Sequence, residues 1–306
     1  MLTQETSVSD PIRGILPVLQ TPVAKSGDFD IESMERQIDF CIAAGAGGLV
    51  FPVLGGEFQY LSDRERQTLV EIVVKKTDKR TPVITGVAGT NISTATEHAA
   101  HAGRAGADAV IAMPPYMGSG GPDENLRYFE AISSAGQLPI FIQNAGAGMQ
   151  PPALVRLLTE VEHLIYVKEE ANPSAHHISA IVAEAGDHCQ GVFGGAWCRW
   201  MISEMRRGAS GFMPGAPVVD IHVDIWDAFQ AGDEDRARDL FDQLLPLTNL
   251  IQILGLRLVK EVLIRRGIFK TSGMRAPGST QLDDDDHREL DAILTKLRPL
   301  FRTEAS

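Results

Sequence analysis

The chain has 306 residues, of which 44% are hydrophobic, and its 28 Lys and Arg against 40 Asp and Glu give a formal net charge of -12. This length and apolar content are sufficient for a folded protein with a large core. The acidic balance, without a basic stripe, argues against a nucleic-acid partner, and three scattered cysteines argue against a disulfide framework or a zinc cluster.

The first residues, MLTQETSVSDP, include an acidic residue and lack the apolar segment of a secretory leader. No run of about 18 apolar residues, the length that spans a bilayer, occurs in the sequence. The few cysteines are typical of a reducing compartment. We therefore expect a cytoplasmic protein without a membrane partner.

One phrase recurs along the chain: a helical stretch ends in glycine, one or two small or polar residues follow, and an apolar strand begins. It occurs as AAGAGGLVFPV at 43–53, RAGADAVIAMPP at 104–115, EAGDHCQGVFGG at 184–195 and RRGASGFMPG at 206–215. Further apolar runs are GILPVLQTPV from 14, TPVITGVAG from 81, PIFIQNA from 139 and IYVKEE from 165. Together these runs predict eight strands.

Amphipathic segments with the three-to-four spacing of helices follow most of these strands. They cover approximately 32–44, 62–77, 92–105, 123–136, 151–160, 173–185, 197–207 and 217–231. Eight alternating units within about 230 residues fit one (β/α)8 TIM barrel better than two smaller α/β sheets. We predict this barrel over 1–232, and the purely helical pattern beyond it predicts a C-terminal helical extension over 233–306.

No pattern predicts a metal or a nucleotide cofactor. The run Asp283 to Asp286 favours the start of a solvated helix. His98 and His101 lie three residues apart without a third ligand, and no glycine-rich phosphate loop follows the first strand. We therefore expect chemistry without a metal or cofactor.

The sixth predicted strand contains the residue that most needs explaining. Alternation along IYVKEE places Lys168 and Glu170 on one side of the strand and Glu169 on the other. A low-dielectric barrel interior favours a neutral amine, and a neutral amine can attack a ketone to form a Schiff base. The residues alone leave open that Lys168 extends to the rim or only pairs with Glu169 or Glu170.

The order of the segments GILPVLQTPV, VLGGEFQYLSDRER, AMPPY, PIFIQNA, YVKEEA and GASGFMPG resembles the dihydrodipicolinate synthase and N-acetylneuraminate lyase family, which contains Schiff-base aldolases and dehydratases. The resemblance covers nearly the whole chain. The family's motif positions fall on Thr21, Pro22, Gly56, Glu57, Leu61, Glu65, Arg66, Pro114 and Tyr116. The resemblance implies that Lys168 forms a Schiff base with a small 2-keto acid and that the protein is a homotetramer.

Three departures from the family pattern narrow the choice of reaction. Gln143-Asn144 stands where the synthases and the lyase have a tyrosine that relays protons, and Gly148 lies about where the synthases have a carboxylate-binding arginine. Leu54 and Gly55 replace two hydroxyl residues of the carboxylate-binding turn, whose backbone N–H groups could still bind a carboxylate. Dihydrodipicolinate synthesis is therefore a poor fit.

These departures are similar to those of family members that dehydrate 2-keto-3-deoxy sugar acids, especially 2-keto-3-deoxy-L-arabonate dehydratases. That likeness implies loss of the C4 hydroxyl as water, with Lys168 and Tyr116 as catalytic residues. The candidate substrate-binding residues are Gly55, Gly56, Glu57, Gln143, Asn144, Gly195 and Gly215. Glu57 is expected mainly to support its loop, and the glycines at strand ends could equally be ordinary turns.

Several alternatives remain open at this point. The same lysine could serve an aldolase that releases pyruvate from a 4-hydroxy-2-oxo acid, or a synthase-like condensation. The absence of the family tyrosine also permits a barrel that binds a keto acid as a sensor without turnover. Tyr116 could be a rim aromatic at a subunit interface. Trp197 and Trp200 could line the pocket, although packing of a helix against the barrel is the more common use of such residues.

Overall fold

Eight parallel strands form the centre of the molecule in the computed structural model, which describes residues 11–118 and 120–303. The strands are β1 (Gly14–Ile15), β2 (Leu49–Phe51), β3 (Val83–Gly86), β4 (Ala109–Ala112), β5 (Ile140–Asn144), β6 (Leu164–Glu169), β7 (Gly191–Gly194) and β8 (Gly211–Phe212). Each strand pairs in parallel with the next from β2 to β8, and β8 pairs with β1. The ends of the predicted barrel and extension, and the N-terminal segment interpreted above, lie partly outside the described residues.

The barrel closes between β1 and β2. Val18, just after β1, forms parallel bridges with both Val50 and Gly215. The backbone N–H of Leu19 donates to the Val50 carbonyl at 3.0 Å, and the Val50 N–H donates to the Pro17 carbonyl at 3.0 Å. The predicted (β/α)8 barrel is therefore confirmed.

Helices alternate with the strands around the barrel. They are α1 (Ile31–Ala43), α2 (Asp63–Thr77), α3 (Ile92–Ala105), α4 (Pro122–Gly136), α5 (Pro151–Glu160), α6 (Ser174–Ala185), α7 (Met201–Met205) and α8 (Val219–Gln230). Local sequence signals begin several of them. Ser62 and Glu65 form a reciprocal capping box at the start of α2, and Asn91 accepts the N–H of Thr94 at the start of α3.

Alternation along the strands separates two cores. Side chains that point into the barrel form a compact interior cluster, in which the rings of Phe141 and Tyr166 stack with centroids 4.2 Å apart. Side chains that point outward, such as Val167, join the larger core between strands and helices. The prediction that successive residues of β6 face opposite sides is confirmed, and it places Lys168 on the interior side with Tyr166.

Three further helices pack against this barrel: α9 (Glu234–Leu254), α10 (Leu256–Arg265) and α11 (Asp284–Leu297). Their buried side chains belong to the same core as the outer face of the barrel. The aspartate run begins α11 as predicted, because the Asp283 carboxylate accepts the N–H groups of Asp285 and Asp286 at 2.9 Å. Within the described residues, no helix is long and apolar enough to cross a membrane.

The segment after β7 differs from the predicted helix over 197–207. Only α7, Met201–Met205, is α-helical in this region. Ala196, Trp197 and Cys198 adopt left-handed backbone conformations, with φ of 48°, 59° and 59°. The Ala196 N–H donates to Glu170 at 2.9 Å, so a tertiary contact overrides the local helical pattern.

Candidate active site

A cavity of about 250 Å³ opens at the C-terminal ends of the strands, the end of a (β/α)8 barrel at which active sites lie. Its walls come from six strands, or the segments that follow them, and from the start of α10. The lining residues are Val18, Leu54, Gly55, Gln143, Lys168, Glu170, Ala196, Trp197, Met213, Gly215 and Leu256. Sequence positions predicted separately therefore meet at one place.

Lys168 is the central cation of this cavity. It lies near the end of β6 beside Gln143 of β5 and is only 4% exposed. Its Nζ is 3.1 Å from Oε2 of Glu170, the residue that follows the strand. Lys168 neither extends to the rim nor pairs with Glu169, because Glu169 faces the opposite side of β6. An amine at a barrel strand end, open to a cavity and beside a carboxylate, can attack a ketone and exchange protons locally.

Glu170 connects the reactive groups of the cavity. Oε2 accepts a hydrogen bond from the Gln143 side-chain amide at 2.7 Å as well as contacting Lys168, and Oε1 accepts the Ala196 N–H at 2.9 Å. Burial by itself raises the pKa of Glu170, but the Lys168 ammonium and these hydrogen bonds outweigh burial and hold the pKa below its ordinary value. Glu170 is therefore a carboxylate that can accept a proton inside the cavity.

Gly195 is required by the position of Glu170. A Cβ atom at residue 195 would lie 2.4 Å from Oε1 of Glu170, so any side chain there would displace the carboxylate. Gly195 is one of the substrate-binding candidates predicted from the sequence. In the structure the group that approaches it closely is a carboxylate of the site itself.

Asn144 and Glu169 lie on the outer side of the barrel wall. The Asn144 amide donates to both oxygens of Glu169 at 2.9 and 3.1 Å and also to the Met149 carbonyl at 3.0 Å. Burial, with the nearby charges of Glu170 and Glu204, raises the pKa of Glu169 to about 7 despite its hydrogen bonds. Asn144 thus shapes the loop after β5, and among the described residues that line the cavity it is absent.

The turn Leu54–Gly56 follows β2 and forms the opposite wall. Thr21 donates its hydroxyl to the Gly56 carbonyl at 2.6 Å, and the Gly56 N–H donates to the Val53 carbonyl at 2.7 Å. Within residues 11–118 and 120–303, the N–H groups of Leu54 and Gly55 have no hydrogen-bond partner. Two adjacent free N–H groups beside a lysine can bind the carboxylate of a 2-keto acid.

The remaining motif residues of this region are structural. Glu57 points away from the cavity and pairs with Lys260 of α10 at 2.5 Å, with both side chains fully buried. Arg66 donates to the carbonyls of Gly86 and Ala88 at 3.1 and 3.0 Å. Glu57 thus fixes the loop that presents Leu54 and Gly55, in keeping with the expectation that it supports its loop, whereas Arg66 joins α2 to the end of β3.

Tyr116 lies beside the site and does not contribute to its wall among the described lining residues. Its ring packs edge-on against Phe58, with centroids 5.4 Å apart. Burial raises the pKa of Tyr116 above its ordinary value, and the positive charge of Arg66 offsets part of that rise. In this chain, as described, Glu170 is better placed than Tyr116 to move protons at Lys168.

The rest of the cavity wall is apolar. Trp197, Met213 and Leu256 contribute large side chains, while Gly55 and Gly215 leave space between them. Of the described residues that line the cavity, Lys168 is the only cation, which agrees with the absence of an arginine near Gly148. Apart from Lys168, no positively charged side chain among these described residues is available to bind a second carboxylate of a substrate.

Two residues of the site are not identified by the sequence pattern. Alternation places Glu170 on the same side as Lys168, but the sequence favours a role for Glu170 in holding Lys168 or the following loop over a catalytic one. The register of β5 and β6 aligns Gln143 with Lys168, and the contact of Gln143 with Glu170 cannot be read from the local sequence. Leu256 reaches the cavity from the C-terminal helices, and no local pattern announces it.

The sequence matches the family model described as the dihydrodipicolinate synthetase family over residues 11–297. It is 30% identical to an L-2-keto-3-deoxyarabonate dehydratase of Azospirillum brasilense, with 96% of this chain and 98% of the relative covered. It is 28% identical to the putative 2-dehydro-3-deoxy-D-gluconate aldolase YagE of Escherichia coli K12, with 93% and 97% covered.

Solved structures agree with these matches. A putative dihydrodipicolinate synthetase from Pseudomonas aeruginosa is similar with a TM-score of 0.88 and 26% identity, covering 94% of this chain and all of the other. YagE from Escherichia coli K12, crystallised with pyruvate, is similar with a TM-score of 0.85 and 26% identity, covering 94% and 98%. With a family match over nearly its whole length and a lysine at the end of β6 of the barrel, the chain belongs to the dihydrodipicolinate synthetase family.

Proposed function

We propose that the protein is a Schiff-base lyase that removes water from a 2-keto-3-deoxy sugar acid, such as 2-keto-3-deoxy-L-arabonate. The observation that carries the proposal is the group formed by Lys168, Glu170 and Gln143, in which one carboxylate oxygen contacts both the amine and the amide. The dehydratase named among the relatives supports the choice of substrate class.

In the proposed reaction the Lys168 amine attacks the C2 ketone, and loss of water gives an iminium. The substrate carboxylate is held by the N–H groups of Leu54 and Gly55. The iminium withdraws electrons and acidifies C3, so that the Glu170 carboxylate takes a C3 proton and an enamine forms. Glu170 then returns this proton to the departing C4 hydroxyl, which leaves as water.

Completion of the reaction balances without a cofactor. Loss of the C4 hydroxyl leaves an iminium conjugated with a C3–C4 double bond. One proton then leaves C5 and one leaves the C5 hydroxyl, while one proton is added at C3 and one at C4, so the C3–C4 double bond is lost and C5 becomes an aldehyde. Hydrolysis of the iminium frees Lys168. The product is a dioxo acid with the carbon count of the substrate, one water lighter.

Gln143 favours dehydration over carbon–carbon cleavage in this scheme. Cleavage needs a group that removes the proton of the C4 hydroxyl, whereas dehydration needs a group that protonates it as it leaves. The Gln143 amide cannot accept a proton near neutral pH, but it orients Glu170 and can hold a hydroxyl. Tyr116, proposed from the sequence as the acid or base, would act only if substrate binding brings it toward the cavity.

A second candidate is an aldolase that releases pyruvate from a 4-hydroxy-2-oxo acid. The specific observation in its favour is the likeness to YagE, whose name states an aldolase activity and which was crystallised with pyruvate. The same lysine would form the iminium, and Glu170 would have to act on the C4 hydroxyl instead of on C3.

Product analysis separates the two candidates. The protein is incubated with 2-keto-3-deoxy-L-arabonate, and the products are identified by mass spectrometry, with Lys168→Ala as the inactive control. The proposal predicts a five-carbon dioxo acid and no pyruvate. Pyruvate together with a two-carbon aldehyde would establish the aldolase, and trapping of keto acids without either product would favour a sensor.

We also propose that the protein works as a cytoplasmic homotetramer, following the resemblance to its family. Sedimentation analysis of the full chain tests the assembly, and a monomer at micromolar concentration would contradict it.

A further inference from the structure

Three consecutive residues next to the cavity, none of them glycine, have a left-handed backbone conformation. Ala196, Trp197 and Cys198 have φ of 48°, 59° and 59°, a region that L residues rarely occupy and that glycine occupies freely. Such a conformation persists only where the surroundings impose it, and it concentrates at functional sites. A turn of this kind is therefore expected to position something that an ordinary turn could not.

Two contacts hold the left-handed turn. The Ala196 N–H donates to Oε1 of Glu170 at 2.9 Å, and the Cys198 N–H donates to the Gly195 carbonyl at 2.7 Å. Cys198 is only 2% exposed and packs into the core. The turn is thus fixed at one end by the carboxylate proposed to move protons and at the other by the core.

The left-handed turn determines the position of the Trp197 side chain. Its ring lies against Gly215, where a Cβ atom would be 3.1 Å from Cζ3 of the indole, and it forms part of the cavity wall. Leu256 and Met213 also line the cavity. A wall of one aromatic and two long apolar side chains gives little support to hydroxyl groups.

The proposed reaction gives the substrate a direction. Its carboxylate lies at Leu54 and Gly55, C2 is bonded to Lys168, and C3 lies near Oε2 of Glu170. The other oxygen of Glu170 faces Ala196. The part of the substrate beyond the reacting carbons therefore extends toward the left-handed turn and its tryptophan.

We infer that Trp197 is a specificity-determining residue that limits the length of the substrate chain to about five carbons. The inference rests on the proposed function for the direction of the bound chain. The polar side chains of the cavity, Lys168, Gln143 and Glu170, are all used at C2 to C4, so a longer polyol chain would place hydroxyls against the apolar wall. Short 2-oxo acids with few hydroxyls are accepted, and six- and seven-carbon chains are excluded.

The test uses Schiff-base trapping and so does not depend on dehydration. The protein is incubated with 5-hydroxy-2-oxopentanoate or 7-hydroxy-2-oxoheptanoate, neither of which has a C4 hydroxyl to lose, then reduced with borohydride, and the mass added at Lys168 is measured against concentration. Wild type should require at least about tenfold more of the longer acid, because its terminal hydroxyl would lie against the apolar wall without a hydrogen-bond partner.

Three variants make this test specific to Trp197. Trp197→Gly suits the left-handed backbone and removes the ring, and it should bring trapping of the two acids within about threefold of each other. Trp197→Phe keeps an aromatic wall and should retain the wild-type preference. Trp200→Gly removes an indole that is 45% exposed and outside the cavity lining, and it should also retain the preference.

Trapping of pyruvate in each variant shows that the site is intact, and circular dichroism shows that the variant is folded. If Trp197→Gly is unfolded, Trp197→Asn, which also tolerates left-handed backbone, replaces it and carries the same expectation. The inference is overturned if wild type traps both acids equally, or if removal of the Trp197 ring leaves the preference unchanged. Failure of dehydration with normal length discrimination would overturn only the proposed function.

Discussion

Two lysine–glutamate pairs are buried among the residues that the structure describes, and their surroundings differ. Lys260 and Glu57 are 2.5 Å apart with both side chains fully buried. Lys168 and Glu170 are 3.1 Å apart at the wall of a cavity of about 250 Å³. The two pairs share residue types and nearly complete burial, so neither property by itself identifies a reactive lysine.

The Lys260 pair is saturated with protein partners. Glu57 uses its second oxygen to accept the N–H groups of Arg275 and Ala276 at 2.8 and 2.9 Å, and Lys260 also donates to the Gly273 carbonyl at 2.6 Å. Burial lowers the pKa of Lys260, and Glu57 offsets part of that effect. These bonds join the loop after β2 to the C-terminal segment, which is a structural role.

The Lys168 pair has open space on one side. Its carboxylate is shared with Gln143 and the Ala196 N–H, so Glu170 is fixed while the amine still faces the cavity. A ligand can therefore reach Nζ of Lys168 but not that of Lys260. Access to the cavity combined with a fixed proton acceptor therefore makes the Lys168 pair the candidate reactive pair.

The largest effect on turnover should come from removing the Glu170 carboxylate of the Lys168 pair. Glu170→Gln keeps the volume and loses the proton acceptor, so turnover should fall by about 10²–10⁴-fold. Trapping of a keto acid at Lys168 should survive, because the amine remains. The matched control Glu57→Gln should lower the free energy of unfolding with a much smaller loss of turnover per folded molecule. Equal losses of turnover in the two variants would remove the distinction between the pairs.

Breaking the Lys260 pair should mainly lower the free energy of unfolding. Lys260→Met leaves the Glu57 carboxylate buried without its cation, so the free energy of unfolding should fall by about 3–5 kcal/mol. Adding Glu57→Gln removes the stranded charge and should restore part of that loss. Urea denaturation of the single and double variants measures both changes. A Lys260→Met protein as stable as wild type would show that the pair is not a structural junction.

Glu204 is a buried carboxylate that, unlike Glu57 and Glu170, has no cation beside it among the described residues. Glu204 is 1% exposed, and within the described residues Oε2 has no hydrogen-bond partner and the carboxylate has no ion pair. Burial raises its pKa to about 7, although a hydrogen bond from Ser174 opposes the rise. The folded protein thus holds a proton that the unfolded chain loses near its ordinary pKa of 4.5.

Stability from this group is complete below about pH 4.5 and is lost as the pH rises through about 7. Glu204→Gln should therefore reduce the fall in the free energy of unfolding between pH 5 and 8 by about 1–3 kcal/mol. Denaturation of wild type and variant at both pH values measures the difference. The same decline in both proteins would assign the pH dependence to other groups, such as Glu169.

The smallest expected effect concerns how Gln143 tunes Glu170. Its amide is one of the contacts that hold the Glu170 pKa down, after the charge of Lys168 and the Ala196 N–H. Gln143→Leu should raise that pKa, so the acid limb of the turnover profile should move to higher pH and turnover at low pH should fall. Asn144→Leu, on the outer side of the wall, should leave the limb in place. An unmoved limb in Gln143→Leu would exclude Glu170 as the titrating base.

Much of this arrangement could be predicted from the sequence because it depends on local patterns. Apolar runs after glycine marked the strands, and alternation along β6 put Lys168 and Glu170 on the inner side. Contacts between distant segments could not be predicted in the same way. The left-handed turn that contains Trp197 is held by the hydrogen bond from the Ala196 N–H to Glu170, and Leu256 enters the cavity from a helix that follows the whole barrel.

The central claim is that Lys168, and not the equally buried Lys260, forms a Schiff base with a 2-keto acid. Incubation with 2-keto-3-deoxy-L-arabonate or pyruvate, followed by borohydride reduction and peptide mass spectrometry, tests it directly. We expect one added adduct per chain, on the peptide that contains Lys168, and none in Lys168→Ala. Absence of an adduct, or an adduct on Lys260 or another lysine, would contradict it.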